Sequence, residues 1–188
     1  MKLSVLDYAD DLDKDFREQI RARGPNLQKR FGDILFGITK KENVTIESFA
    51  QKLGYSDKQT RIWREGKAAI PLDVLVEVWK TGKENLEELE NQIEHLKVYR
   101  SSAVKVPKAL TPEIAEIAGR HCGDGSCTIS ANKDYRVTLT ETNSLIEIHN
   151  NQIKEIFGLS PKTEKITDAI QKSIVNSKVY CRFFVKIL

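Results

Sequence analysis

Gly123-Asp124-Gly125 sets a single carboxylate at the point where a helical pattern stops. The stretch leading into it runs Leu110-Thr-Pro-Glu-Ile-Ala-Glu-Ile-Ala-Gly-Arg-His-Cys-Gly-Asp-Gly125. Thr111 suits an N-cap, Pro112 the first helical position, and Glu113 the positive end of the helix dipole. Ile114 and Ile117 supply an apolar stripe, whereas Ala115, Gly119 and Gly123 recur every fourth residue and leave one face almost bare. Glycine costs helix stability, so two at this spacing call for a reason; close approach of a second backbone is one. Asp124 falls at the negative end of the dipole, where a carboxylate is disfavoured and a bound cation would remove the penalty. The plainer alternative is a C-terminal turn, in which Gly-Asp-Gly is common. A zinc site from His121, Cys122 and Cys127 has no usual finger spacing, and only His95 and His149 remain as further histidines. No nucleophile–His–acid set and no phosphate loop is visible.

Ile117-Ala-Gly-Arg-His-Cys-Gly-Asp-Gly125 resembles the signature of the LAGLIDADG homing endonuclease family. Ala118, Gly119, Asp124 and Gly125 match it outright, Ile117 and Gly123 are close variants, and Arg120, His121 and Cys122 depart from it. In that family two such helices pack side by side, and each delivers its late aspartate to a divalent metal at the scissile phosphates. The resemblance therefore implies a catalytic, Mg2+-binding role for Asp124, with Gly123 beside it at the metal. It implies a helix-packing interface at Ala115, Gly119 and Gly123. Cleavage of both strands needs two aspartates, because metal must stabilise attacking and leaving oxygens on each. One signature is present, so the chain is expected to act as a homodimer, to lack a second repeat beyond Leu188, or to be inactive.

Composition sets bounds. The chain has 188 residues, room for one or two small domains with real cores. Its formal net charge is +3 with 30% charged residues, so the distribution of charge matters more than the sum. Three cysteines (Cys122, Cys127, Cys181) predict a reducing compartment without a disulfide framework. No apolar run reaches membrane-spanning length, and the N-terminus turns acidic too early for a signal peptide, so a cytoplasmic protein without membrane contact is expected.

The N-terminal half is helical. Residues 1–25 read as an acidic segment with a short helix around Asp11–Arg23, ending at Gly24-Pro25. Leu27, Phe31, Ile34, Leu35 and Ile38 form an amphipathic stripe. Thr45 then caps a short helix with Ile46, Phe49, Ala50 and Leu53, and Gly54 supplies a left-handed turn. Ser56 caps the next helix with Gln59 three residues on, Gly66 closes it, and Pro71 opens another. Two short helices joined by Leu53-Gly-Tyr-Ser56 are a helix-turn-helix signal. Leu27 to about Thr81 resembles a Cro/repressor-type DNA-binding domain on Thr45, Ala50, Leu53-Gly54, Ser56, Trp63, Gly66 and Pro71. Thr60 and Arg64 depart from its pattern. The resemblance makes 56–64 the recognition helix, with Asp57, Lys58, Gln59, Arg61 and Arg64 exposed and Lys67 suited to a phosphate. The plain alternative is a helical bundle with a solvated charged face; Trp63 reads as core.

Lys83 to Leu96 reads as a charged linker helix with Leu86, Leu89, Ile93 and Leu96 at coiled-coil spacing, followed by an extended connector to Lys108. Beyond it, Thr128–Ser130 and Tyr135–Thr140 predict a hairpin. Tyr135, Val137 and Leu139 lie on one face, and Arg136, Thr138 and Thr140 on the other. A helix follows from Thr142 or Asn143 to Gly158, then a second extended pair at Lys162–Thr167 and Ile170–Asn176, then a last helix capped by Ser177. The fold class expected is an α-helical helix-turn-helix bundle followed by an α+β (αββαββα) LAGLIDADG-like half-domain. The divisions fall at 1–25, 26–82, 83–108 and 109–188. In that family the sheet lies in the major groove of double-stranded DNA with its polar face reading bases, which nominates Arg136, Thr138, Thr163, Lys165 and Lys172. An ordinary α+β sheet with a solvated polar face is the alternative. Lys178 is a further guess, for stabilising charge near the scissile phosphate. The function expected is sequence-specific DNA binding with Mg2+-dependent phosphodiester hydrolysis. Its rival is a non-catalytic transcriptional regulator on the same fold.

Overall fold

The computed structural model describes residues 4–6, 19–130 and 134–187. It is a mixed α and β structure that divides into two compact units, one of Ser4–Tyr99 and one from Arg100 to the C-terminal end.

The first unit begins its regular structure with strand β1 (Arg21–Arg23) and helix α1 (Leu27–Glu42). Helices α2 (Ile46–Lys52) and α3 (Asp57–Arg64) follow, each started by a side-chain cap. The Ser48 amide donates to Thr45 Oγ1 at 3.1 Å and the Gln59 amide to Ser56 Oγ at 3.3 Å. Between them Gly54 takes φ +80°, a left-handed conformation that a side chain would strain. Strand β2 (Ile70–Pro71) leads directly into α4 (Leu72–Gly82). The core gathers on α1, α3 and α4: Phe31, Leu35, Trp63, Leu75 and Trp79 are all buried. Phe31 and Tyr55 meet the Trp63 ring edge-on, at 6.3 and 4.9 Å between centroids.

Two expectations change here. The helix expected at Asp11–Arg23 falls mostly outside the described residues, and Arg21–Arg23 is strand, paired antiparallel with β2. The expected linker helix is shorter and belongs to this unit. Helix α5 (Leu86–Gln92) packs on α4, and the chain then extends into β3 (His95–Lys97), which pairs with the other edge of β1. Leu89, Ile93 and Leu96 are fully buried in this unit's core rather than presented as a seam.

In the second unit, strand β4 (Val104–Lys105) precedes helix α6 (Pro112–Asp124), capped by Thr111 Oγ1 accepting from the Ile114 amide. Strand β5 (Gly125–Ile129) starts without an intervening loop and pairs with β6 (Tyr135–Thr142). Helix α7 (Asn143–Phe157) crosses to β7 (Lys162–Lys165) and β8 (Ile170–Asn176), and α8 (Lys178–Ile187) ends the chain. The sheet is antiparallel with order β5-β6-β8-β7. All three helices pack on one face, over Val137, Leu139 and Val175. Their contribution includes Ile114, Ile117, Ile146, Ile153, Phe157 and Phe184, all buried.

The cysteine expectation is overturned. Cys127 on β5 and Cys181 on α8 are joined as a disulfide, and Cys122 is free and exposed. Spacing could not reveal the pair, because the fold brings together residues 54 apart. Among the described residues no helix is long and apolar enough to cross a membrane.

Candidate nucleic-acid interface

Helix α3 buries Thr60 and Trp63 and turns its charged residues outward. Lys58 and Arg61 are exposed, as is Asp57; Gln59 is half-buried, and its backbone N–H donates to the Ser56 cap. Arg64 is exposed but lies back on α1. Its Cγ and Nε sit 3.6 Å from where a Cβ on Gly32 would be, an ordinary packing distance. Lys67 is not a free cation: its Nζ is 2.6 Å from Glu65 Oε2, and that hydrogen bond holds the Glu65 carboxyl below its usual range. A cleft of about 870 Å³ opens between α1 and the end of α3, lined by Gln28, Lys29, Gly32, Phe36, Arg61 and Arg64 among others.

The second unit presents one sheet face that none of its own helices covers. Directly paired residues of antiparallel strands share a face, so the register defines it. The row Ser126–Thr138–Ile174–Lys162 runs across all four strands, flanked by Thr128–Arg136–Asn176 and Thr140–Lys172–Glu164. Arg136 and Lys162 are exposed and Lys172 half-buried, giving this face three cations against one acid, Glu164. Thr138 is on it but buried, its hydroxyl 2.8 Å from that of Ser126.

Strand β7 is out of phase with the expectation. Thr163 and Lys165 point to the helix side. The Asn150 side chain on α7 donates to Thr163 Oγ1 at 3.1 Å and accepts from Ser173 Oγ at 2.6 Å, which fixes the phase. Lys165 pairs with Asp168 in the following turn at 2.5 Å. The open-face residues are instead Lys162 and Glu164, one residue away from those nominated. Lys162–Lys165 reads Lys-Thr-Glu-Lys, with no apolar residue to set a phase, so only the partner strand reveals it.

Helix α6 keeps its bare face. Ala115, Gly119 and Gly123 are exposed, and nothing lies within 4 Å of a Cβ built on either glycine. Asp124 is exposed at its C-terminal end, two residues before Ser126 on the open face. Gly125 is required by space rather than by torsion: its φ is an ordinary −96°. A Cβ there would lie 2.5 Å from His121 Cα and 2.7 Å from the His121 carbonyl oxygen. The two departures at 120 and 121 acquire roles. Arg120 donates to Gln152 Oε1 on α7 at 3.0 Å and pairs with Glu116. His121 turns inward to meet His149 at 5.0 Å between ring centroids.

Lys178 is 3% exposed at the start of α8, with Nζ 5.3 Å from the Tyr135 ring centroid. Tyr135 pairs with Ile129, at the opposite end of the hairpin from Gly125. Four residue steps separate the two ends, roughly 13 Å, so Lys178 is no partner for Asp124.

Among the described residues no group of three His, Cys, Asp or Glu side chains is placed to hold a metal ion. Within them, Asp124 has no three-donor group around it that would fit a resident Mg2+.

No protein-family model matches the chain, and no curated protein matches it in sequence.

Proposed function

We propose that this chain is a sequence-specific DNA-binding protein of the homing endonuclease type, acting on double-stranded DNA through both units. The observation that carries the reading is α6 itself: a helix with an uncovered small-residue face, ending in an exposed Asp124 that runs straight into the edge of an open, cation-bearing sheet. The order α6-β5-β6-α7-β7-β8-α8 agrees with the LAGLIDADG half-unit that the signature resembles. Arg136, Lys162 and Lys172 would meet phosphates and base edges from the sheet. Lys58, Gln59 and Arg61 would do so from α3, with Arg64 and Lys67 at its margin. Two binders on one chain raise affinity through effective concentration.

Phosphodiester hydrolysis belongs in this reading to a paired form. Two α6 helices apposed along Ala115, Gly119 and Gly123, from a second copy or a second repeat, would bring two Asp124 carboxylates together. Only such a pair would supply a donor set for Mg2+. The non-catalytic regulator is favoured by one specific observation, that Asp124 has no three-donor group around it among the described residues.

The test is a binding and nicking assay on DNA selected by the protein, with Mg2+, using wild type and Asp124→Asn. Cleavage lost in the variant with binding retained supports the endonuclease. Binding without cleavage in the wild type supports the regulator. Failure to select any DNA overturns both.

A further inference from the structure

We propose that Cys127 and Cys181 form a thiol–disulfide switch that sets how firmly edge strand β5 and the adjoining end of α6 are held. The two residues are linked with Cα atoms 6.3 Å apart and a sequence separation of 54. They differ sharply in access. Cys181 is 0% exposed on α8, whereas Cys127 is exposed on a strand whose residues are exposed from Ser126 to Ile129. Strand β5 is the outer strand of its sheet and has a ladder to β6 alone. The cross-link is thus a covalent tie from a poorly covered edge into the core. It leaves the Cys127 residue, on an exposed edge strand, nearer to external thiols than Cys181, which is shielded. Gly125 opens β5 immediately after Asp124, so a change in β5 reaches the end of α6 without a loop to absorb it.

The exchange chemistry balances with a low-molecular-weight disulfide such as oxidised glutathione. Its sulfur–sulfur bond is attacked by the accessible Cys127 thiolate, one glutathione leaves, and a mixed disulfide forms at Cys127. The Cys181 thiolate then attacks the Cys127 sulfur and expels the second glutathione. The protein loses two electrons and two protons, and oxidised glutathione becomes two thiols. Reduction by a dithiol runs in reverse. The dithiol attacks the Cys127 sulfur, Cys181 leaves as a thiolate and takes up a proton, and the second thiol of the reagent frees Cys127 as it closes its own disulfide. Cross-linking a loop of this length restricts the unfolded chain substantially, so the oxidised form should be the more stable. None of this depends on DNA binding.

The experiment compares the full chain equilibrated with oxidised glutathione and with dithiothreitol. It combines peptide mapping under non-reducing conditions, thermal unfolding, and amide hydrogen exchange. A Cys127–Cys181 cross-linked peptide is expected in the oxidised sample only, with Cys122 outside it, carrying glutathione in the oxidised sample and alkylated in the reduced one. Oxidation should raise Tm by on the order of 10 °C and slow exchange over 125–129, leaving 170–176 little changed. Cys127→Ser should abolish the redox dependence of Tm. The proposal is overturned if no such peptide forms at any glutathione ratio, if the link recruits Cys122 instead, or if Tm and exchange over 125–129 are the same in both states. The wild-type comparison decides the matter alone if the variant does not fold.

Discussion

A methyl group added at Gly125 would fall inside van der Waals contact with the backbone of His121, 2.5 Å from its Cα. Gly125→Ala must therefore open the junction between α6 and β5, and a loss of about 1–3 kcal/mol in urea unfolding is expected. The buried histidines behave differently. Burial lowers the His121 pKa to about 4, with the Thr138 backbone opposing the shift. Burial lowers that of His149 to about 3, helped by His121 and Arg120. The ring nitrogens of His149 have no hydrogen-bond partner among the described residues. Both rings are thus neutral when folded, whereas unfolded they take up protons near pH 6.5. Since the unfolded state binds more protons in this window, stability is full above about pH 6.5 and falls as pH drops towards 4 and 3. The loss should be about 3 kcal/mol from His121 alone by pH 4. Urea midpoints at pH 7.5 and pH 4.5 measure it. A His121→Phe/His149→Phe double variant whose midpoint falls just as steeply with acid would show that the pair is not responsible.

The exposed glycines of α6 make a sharper element-scale test. Gly119 meets nothing, so Gly119→Ala should stabilise the unit by about 0.5–1 kcal/mol through helix propensity alone. Gly119→Leu should also fold, yet on the proposed pairing it should shift sedimentation towards monomer and abolish cleavage while leaving the monomer's thermal unfolding intact. Ser56→Ala should cost about 1 kcal/mol by removing the cap of α3. Such caps were legible because they are local: Thr45, Ser56 and Thr111 each meet a backbone amide two or three residues inside their own helix. The bare face of α6 and the inward phase of Val137 and Leu139 were legible for the same reason, being periodic. What could not be read is non-local. Strands β1, β2 and β3 are three, two and three residues long, too short to carry a period, and they exist only because distant segments pair. The helix expected through Leu96 stops at Gln92 because that pairing draws His95–Lys97 into extended form. The phase of β7 and the partner of Cys127 were likewise decided by another strand and another helix.

Taken as a whole molecule, the chain has a net charge of only +3, so nucleic-acid affinity must come from where cations sit. On the proposed reading, raising salt from 50 to 200 mM should weaken DNA binding roughly a thousandfold for about six phosphate contacts. Fluorescence anisotropy across that range gives the slope. Lys162→Ala and Lys172→Ala should each lower the slope by about one and weaken binding, whereas Lys165→Ala, on the helix side of β7, should leave it unchanged. Equal effects from all three would remove the sheet face from the interface.

The uncovered face of the sheet also bears on how such a protein could change its target. Its exposed side chains at 128, 136, 140, 162, 164 and 176 hold up nothing beneath them, because the three helices lean on the opposite side. A library randomised at those positions should return mostly folded members, and recognition could drift through many sequences without crossing a stability threshold. On the proposed pairing the face of α6 has no such latitude, because a second backbone would approach it there, and the two surfaces of one small unit would then evolve at different rates.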